Sequence, residues 1–331
     1  MSDMKNVLVT GATGFIGYSV AKLLAEEGYR PRLLVRRMHR GMLVSHLDAE
    51  PVIGDLQKAE SLERAVEGMD TVIHLGARAT FEAMSLVRPS IVDGTANLFR
   101  ASVKAGVEHF VHASSMLVHG STTDKSQLID ADTAPAPDTD YGRAKLEAET
   151  WLQREAAKSD IGLAIIRLPH VYGAQDAFFA KIRSGFLLMP GLGDNLYCHM
   201  HVDDAARVMT ETARQRLEIV SPLADDLPLD WNGFFGLVKT YYPHMRSVRV
   251  PRDLALWGAS ALQWWYRFQR KQTLETPDGV RGWNLQVPVK PGLVWNELGL
   301  KPEFPTAHEG VPSVLDDCVS YRWIHPVNDH R

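Results

Sequence analysis

The chain has 331 residues, of which 45% are hydrophobic and 23% charged, with a formal net charge of −4. These are globular values that exclude wholesale disorder, and the acidic balance excludes a general attraction for nucleic acid or an anionic membrane. The length predicts one large α/β domain with a smaller partner. Cys198 and Cys318 are the only cysteines, too few and too far apart for a disulfide framework or a cysteine-based metal site. No apolar stretch reaches the roughly 20 residues of a membrane span. Met1-Ser-Asp-Met-Lys-Asn6 runs straight into an apolar segment with no charged-then-apolar leader, which predicts a cytoplasmic protein.

Strand and helix alternate through the first half. Val7-Leu-Val9 predicts a strand, and 15–27 places Ile16, Val20, Leu23 and Leu24 on one helical face. Arg32–Val35 and 51–53 predict two more strands, 59–66 a helix and 71–75 a fourth strand. Gly94–Ala105 predicts a helix closed by Gly106, and 109–113 a fifth strand. Such alternation gives a doubly wound parallel sheet with right-handed crossovers, which binds ligands beyond the carboxyl ends of its strands. Ala134-Pro-Ala-Pro-Asp138 is a turn-rich loop, and the helix after it carries Tyr141, with Thr139 or Asp140 as its N-cap. Residues 164–167 predict another strand and 187–194 a Gly/Pro loop. The alternation decays beyond about residue 173. We therefore expect a nucleotide-binding domain at 1–172 with a return segment near 200–222. A discontinuous mixed α/β substrate domain would take 173–199 and 223–331.

Gly11, Gly14 and Gly17 in Thr10-Gly-Ala-Thr-Gly-Phe-Ile-Gly17 follow a strand and open a helix. In that context the spacing predicts a turn that brings a pyrophosphate onto bare backbone, with Thr13, Phe15 and Ile16 around it. The second strand ends in Val35-Arg36-Arg37, where a ribose with free hydroxyls would meet a carboxylate and a 2′-phosphate would need a cation. Two arginines there favour NADP(H) over NAD(H). Asp55 and Leu56 follow the third strand, and Asp55 can accept from an adenine amino group. Leu75-Gly76-Ala77 supplies small residues where a cofactor would cross the sheet edge.

Tyr141 and Lys145 stand four apart on a predicted helix and share a face. An ammonium beside the phenol would lower its pKa and fit it for proton exchange with a substrate oxygen. Ser115, after the fifth strand, would hydrogen-bond the same oxygen. His119, His170, His199 and His201 lack zinc-site spacing, so no metal is expected; His170 is a candidate substrate contact and His201 a structural residue. Trp231, Trp283, Trp295 and Trp323 read as core or interface residues.

These motifs resemble the extended short-chain dehydrogenases/reductases, the NAD-dependent epimerase/dehydratase superfamily. The pattern is nearest the dihydroflavonol-reductase-like and 3-beta-hydroxysteroid-dehydrogenase-like members. The resemblance runs from Thr10–Gly17 through Gly54-Asp-Leu56, His74-Leu-Gly-Ala77, Asp93-Gly-Thr-Ala-Asn97, Ser114-Ser115 and the Tyr141-Gly-Arg-Ala-Lys145 segment. It continues to Arg167-Leu-Pro-His-Val-Tyr-Gly173 and His201-Val-Asp-Asp204. It implies a Rossmann-like fold and Lys145 on the nicotinamide ribose, with Leu168, Pro169 and Val171 against the nicotinamide. The family often has an asparagine three residues before Gly94-Thr95, where this chain has Ile91.

The resemblance alone does not choose a reaction. The segment Gly193-Asp-Asn-Leu-Tyr-Cys-His-Met-His-Val-Asp203 lacks the arginine that sugar-nucleotide enzymes commonly place there. With Arg36, Arg37, and the apolar Met116 and Leu117 beside Ser115, this favours an oxidoreductase acting on a small apolar carbonyl or alcohol. The alternatives are a nucleotide-sugar epimerase or dehydratase, and a cofactor-binding regulatory protein without turnover. A homodimer is compatible with these features. Leu254, Trp257, Ala261, Trp264, Trp265 and Phe268 form an apolar helical stripe closed by Arg267, Arg270 and Lys271. It fits a packed core, an aromatic lid over an apolar substrate, or a membrane-surface helix.

Overall fold

The computed structural model describes residues 4–176, 179, 186–243, 245–269 and 275–320. The first half runs β1 (Val7–Thr10), α1 (Phe15–Glu26), β2 (Arg32–Val35), α2 (Met38–Gly41), β3 (Glu50–Ile53), α3 (Glu63–Val66) and β4 (Thr71–His74). It continues with α4 (Met84–Arg88), α5 (Gly94–Ala105), β5 (His109–Ser115), α6 (Asp140–Ala156) and β6 (Gly162–Leu168). The later strands are β7 (His170–Tyr172), β8 (Phe186–Pro190), β9 (Leu196–Tyr197), β10 (His199–His201), β11 (Ile219–Pro222), β12 (Leu229–Asp230) and β13 (Arg246–Val250).

Seven strands form one Rossmann-like parallel sheet in the order β3-β2-β1-β4-β5-β6-β11. Successive side chains on a strand leave by opposite faces, and both faces are covered, so the strands read as apolar runs rather than alternating ones. Val7 and Val9 of β1, Val111 of β5 and Ala164 and Ile166 of β6 enter one core with Val20 and Leu24 of α1 and Val208 of the Val202–Gln215 helix. Leu8, Phe110 and Ile165, one register step away, enter the opposite core with Leu98 and Phe99 of α5 and Leu152 of α6. Chain order reverses at β1, whose neighbours are β2 on one side and β4 on the other. A crevice at the carboxyl ends of β1 and β4 follows from that reversal. A separate core gathers Met116, Leu117, Tyr172, Leu187, Trp231, Phe234, Val287 and Val311 from later segments.

Three expectations are corrected. The helix over 59–66 is a 3-10 turn, Ala59–Ser61, followed by the four-residue α3. The loop at 187–194 begins instead as β8, which pairs in parallel with β13; Leu187 and Met189 are buried while Leu188 faces out, and the partner lies too far along the chain for local pattern to reveal it. The stripe at 254–268 does form one face of a helix, Arg252–Phe268, but that face points to solvent. The small residue Ala259 is what the helix buries, so the packed-core reading does not fit. Arg270, Lys271 and Trp323 lie outside the described residues. Trp231 and Trp295 are buried, as expected, and Trp283 stacks on Trp231 at 4.1 Å.

α6 is fixed to the sheet by a buried ion pair. Glu149 receives Arg167 of β6 at 2.8 Å and 3.2 Å, and the Ser114 hydroxyl of β5 donates to the same carboxylate. Arg167 also donates to His119 Nε2 at 3.1 Å. Removing one member would leave an uncompensated buried charge. Glu149→Ala should therefore lower stability by about 3–5 kcal/mol in urea unfolding, and the Glu149→Leu/Arg167→Met double variant by much less.

Candidate active site

The first turn is built for close approach to backbone. Gly11 has φ +77°, and a Cβ there would lie 2.8 Å from the Leu75 carbonyl carbon and 2.9 Å from Gly76 N. A Cβ on Gly17 would lie 2.2 Å from Gly11 O, so the helix can start this close to the strand only without a side chain. α1 begins after Gly14 with no side-chain cap, which leaves first-turn N–H groups without a cap of the chain's own. Phe15 lies against Gly173 and so joins this turn to the segment after β7.

A directed chain of hydrogen bonds locks the crevice beneath the turn. Gly76 N donates to Thr10 Oγ1 at 3.0 Å, and Thr10 Oγ1 lies 2.7 Å from His74 Nδ1. His74 Nε2 lies 2.9 Å from Thr95 Oγ1, and Thr95 donates to Ile91 O at 2.5 Å. Thr95 has spent its proton, so His74 must donate from Nε2 and accept at Nδ1: it is neutral. Burial, aided by the Lys145 charge, pushes its pKa down to about 3. Asp55 receives Gln57 N on its carboxylate, and Leu56 O receives the Asn97 amide. Ala77 packs beside Ile91. Arg36 and Arg37 stand exposed at the end of β2, with no ion pair between them and any carboxylate among the described residues.

Ser115 is the last residue of β5, not the first after it. Its Oγ accepts from Leu117 N at 3.2 Å, which turns the chain into a 3-10 turn at Met116–Val118. Met116 and Leu117 are buried in the later core, against which Tyr141 also packs. α6 starts beside them: a Cβ on Gly142 would lie 2.4 Å from Leu117 O. Thr139 is the N-cap and accepts from Gly142 N at 3.0 Å, while the Asp278 carboxylate accepts from Asp140 N at 3.0 Å and Tyr141 N at 3.3 Å. Every N–H of the first turn is thus satisfied. The Asp278 contact, made 137 residues down the chain from Tyr141, was invisible to local pattern, as was Phe81, whose ring lies 5.3 Å from that of Tyr141.

One expectation about Tyr141 is reversed. Burial pushes its pKa up to about 12 instead of an ammonium drawing it down. Lys145 Nζ lies 5.9 Å from the Tyr141 ring and donates to Ala113 O at 2.7 Å. Burial lowers the lysine itself to about 8, with Glu149 pulling the other way. Desolvation is the leading cause for both groups. Leu168 and Val171 are buried and Pro169 half-buried on the strand end beside β5. His170 is held at 2.9 Å from His199, whose Nε2 lies 3.3 Å from Leu229 O, amid the rings of Trp231 and Phe234. His201 caps the Val202–Gln215 helix by accepting from Asp203 N. No group of three or more metal-ligating side chains occurs among the described residues.

Residues 7–222 match the NAD dependent epimerase/dehydratase family, and the chain belongs to that family, of extended short-chain dehydrogenase/reductase type. A UDP-glucose 4-epimerase of Vibrio cholerae is 31% identical over 179 residues, covering 51% of this chain and 52% of the relative. A 3-beta-hydroxysteroid dehydrogenase of Mycolicibacterium neoaurum is 29% identical over 195 residues, covering 55% and 52%. The chain thus spans about half the length of these curated relatives. Among solved structures, MoeE5 in complex with UDP-glucose and NAD superposes with a TM-score of 0.77 at 22% identity, covering 96% of this chain and 99% of that one. That likeness establishes the fold.

Lys145 carries a testable consequence. Its folded pKa of about 8 lies below the unfolded value of 10.5, so its charged form is penalised in the folded state. The penalty is complete below pH 8 and fades as pH rises toward 10.5, because there the unfolded chain binds a proton that the folded chain does not. Relative to Lys145→Met, the stability of the cofactor-free protein should rise between pH 8 and 10. The slope should approach ~1.4 kcal/mol per pH unit in urea titrations.

Proposed function

We propose that the chain is an NADP(H)-dependent oxidoreductase that interconverts a carbonyl and an alcohol on a mainly apolar small molecule. The observation that supports this reading is the Tyr141–Lys145 pair on α6, with Lys145 on the Ala113 carbonyl of β5, the strand that ends in Ser115, and Phe81 and the core that holds Leu117 against Tyr141. We assign dinucleotide binding to 1–172 with 200–222, and substrate binding to 173–199 and 223–331.

The glycine cradle fits a dinucleotide: the spaces that a Cβ would fill at Gly11 and Gly17 are closed to any other residue, and the turn leaves N–H groups for phosphate oxygens. Gly14, Thr13, Phe15 and Ile16 would complete that turn, with Leu75, Gly76 and Ala77 following the end of β4 beside it. Arg36 and Arg37 would hold the 2′-phosphate and Asp55 with Leu56 the adenine. Lys145 would hold the nicotinamide ribose, and Leu168, Pro169 and Val171 would back the ring. A nicotinamide bound there supplies or accepts the hydride.

The chain's own residues handle the proton. Tyr141, neutral because burial raises its pKa, gives a proton to the carbonyl oxygen in reduction and takes it back in oxidation. Ser115 donates a hydrogen bond to the same oxygen as negative charge develops. The Lys145 ammonium steadies the phenolate that Tyr141 becomes. Ile91 offers no side-chain hydrogen bond, so proton return to solvent passes it by.

Tyr141→Phe should cut turnover by at least ~10²–10⁴-fold with folding and cofactor affinity retained. Ser115→Ala should cost ~10²–10³-fold in kcat. Both are read with NADPH and a panel of ketones, and near-parental turnover by Tyr141→Phe would refute the assignment. Arg36→Ala with Arg37→Ala should weaken NADPH about tenfold to hundredfold and leave NADH nearly unchanged. Equal affinity of the parent protein for both cofactors would remove the NADP(H) reading.

The Vibrio cholerae relative favours a second reading, epimerisation or dehydration of a nucleotide sugar. Its diphosphate would need cations, so tight, salt-sensitive binding of a UDP-sugar, with no binding of a steroid or flavonoid-like ketone, would replace the first reading by this one.

A further inference from the structure

We propose that the Arg252–Phe268 helix docks on an anionic lipid bilayer, seating its aromatic face in the interfacial layer. A surface helix of a globular protein turns its apolar stripe inward. This one is reversed. Leu254, Trp257, Trp264, Trp265 and Phe268 are 60, 77, 69, 51 and 75% exposed, while Ala259 is buried. At 3.6 residues per turn, positions 254, 257, 261, 264, 265 and 268 share an arc about 100° wide. The stripe runs from Leu254 to Phe268 along the 17-residue helix, and its rings stack on one another, Trp264 and Trp265 each on Phe268. Leu188 and Val248, register partners on β8 and β13, extend exposed apolar surface from the strand that leads into the helix.

Charge selects the occupant. The chain carries −4 overall, yet 246–271 holds six cations and one carboxylate, Asp253. Arg246, Arg249 and Arg252 are exposed, and none makes an ion pair among the described residues. Tryptophans flanked by arginines, on a helix too polar to cross a bilayer, are the composition of an interfacial helix. In a two-fold contact between copies through this face the same arginine rims would oppose each other, whereas anionic headgroups would be attracted to them.

The placement bears on the site. The helix packs against Pro277–Trp283, whose Asp278 completes the first turn of α6 at Tyr141. Docking would set the Tyr141 side of the molecule near the lipid phase, from which an apolar substrate could enter; this last step rests on the oxidoreductase reading, while docking itself does not.

The test uses the full chain and needs no turnover. Sedimentable vesicles of phosphatidylcholine, alone or mixed with phosphatidylglycerol, are offered to it, with brominated acyl chains in a parallel set. The expected result is pelleting about tenfold stronger with the anionic vesicles, weakened by salt, and quenching of tryptophan emission by brominated lipid. Trp257→Ser with Trp264→Ser should reduce binding about tenfold or more at an unchanged melting temperature. Should that variant fail to fold, quenching in the unmodified protein decides. No pelleting with either vesicle, or pelleting without quenching, would overturn the proposal. So would a vesicle-free dimer that the double variant converts to monomer, which would make the face a contact between copies.

Discussion

A carboxylate inside the protein governs the placement of α6. Glu149 is buried between that helix and the sheet, and an isolated charge there would be costly enough to expel the helix or protonate the group. Arg167 from β6 and Ser114 from β5 remove the difficulty by meeting it from two neighbouring strands. Because a guanidinium fork accepts a carboxylate in few orientations, the pairing fixes the rotation of the helix as well as its height. Tyr141 and Lys145, two turns and one turn earlier on α6, inherit that rotation. Lys145 is turned back onto the β5 carbonyl of Ala113, and Tyr141 packs against the later core that holds Met116 and Leu117.

A second constraint, independent of the first, acts at the β1–β4 crevice. There the close contact of Gly11 with the 75–76 peptide and the Thr10–His74–Thr95 chain hold three elements at one separation. An imidazole that cannot take a second proton near neutrality is a spacer with fixed donor and acceptor, not a switch. The cofactor turn and the Tyr141 helix thus rest on different supports, one made of backbone contact and one of buried charge.

What the sequence revealed was whatever depends on near neighbours. The glycines of the first turn, the four-residue spacing of Tyr141 and Lys145, the Thr139 cap and Gly106, with its φ of +75° at the end of α5, all declare themselves within a few residues. What it concealed depends on distance. Hydropathy gave β8 no partner, because β13 lies far down the chain. Proximity of charge suggested an acidic phenol, but the pKa of Tyr141 follows from how much protein covers it, and that cover includes Phe81 and the later core. Periodicity located the stripe of 254–268 correctly and still could not tell its orientation, since an apolar arc looks the same whether it faces protein or solvent.

The carboxylate of Asp278 reaches back 138 residues along the chain to finish the helix that bears Tyr141. During synthesis, therefore, the sheet, the glycine turn and nearly all of α6 leave the ribosome long before the group that closes the helix's first turn has been made. Domains generally form in N-to-C order as they emerge, so a nascent chain would carry the strands of the parallel sheet with the first turn of α6 still unclosed. The β1 core waits on the same late part of the polypeptide, since Val294, Trp295 and Leu298 are buried in it.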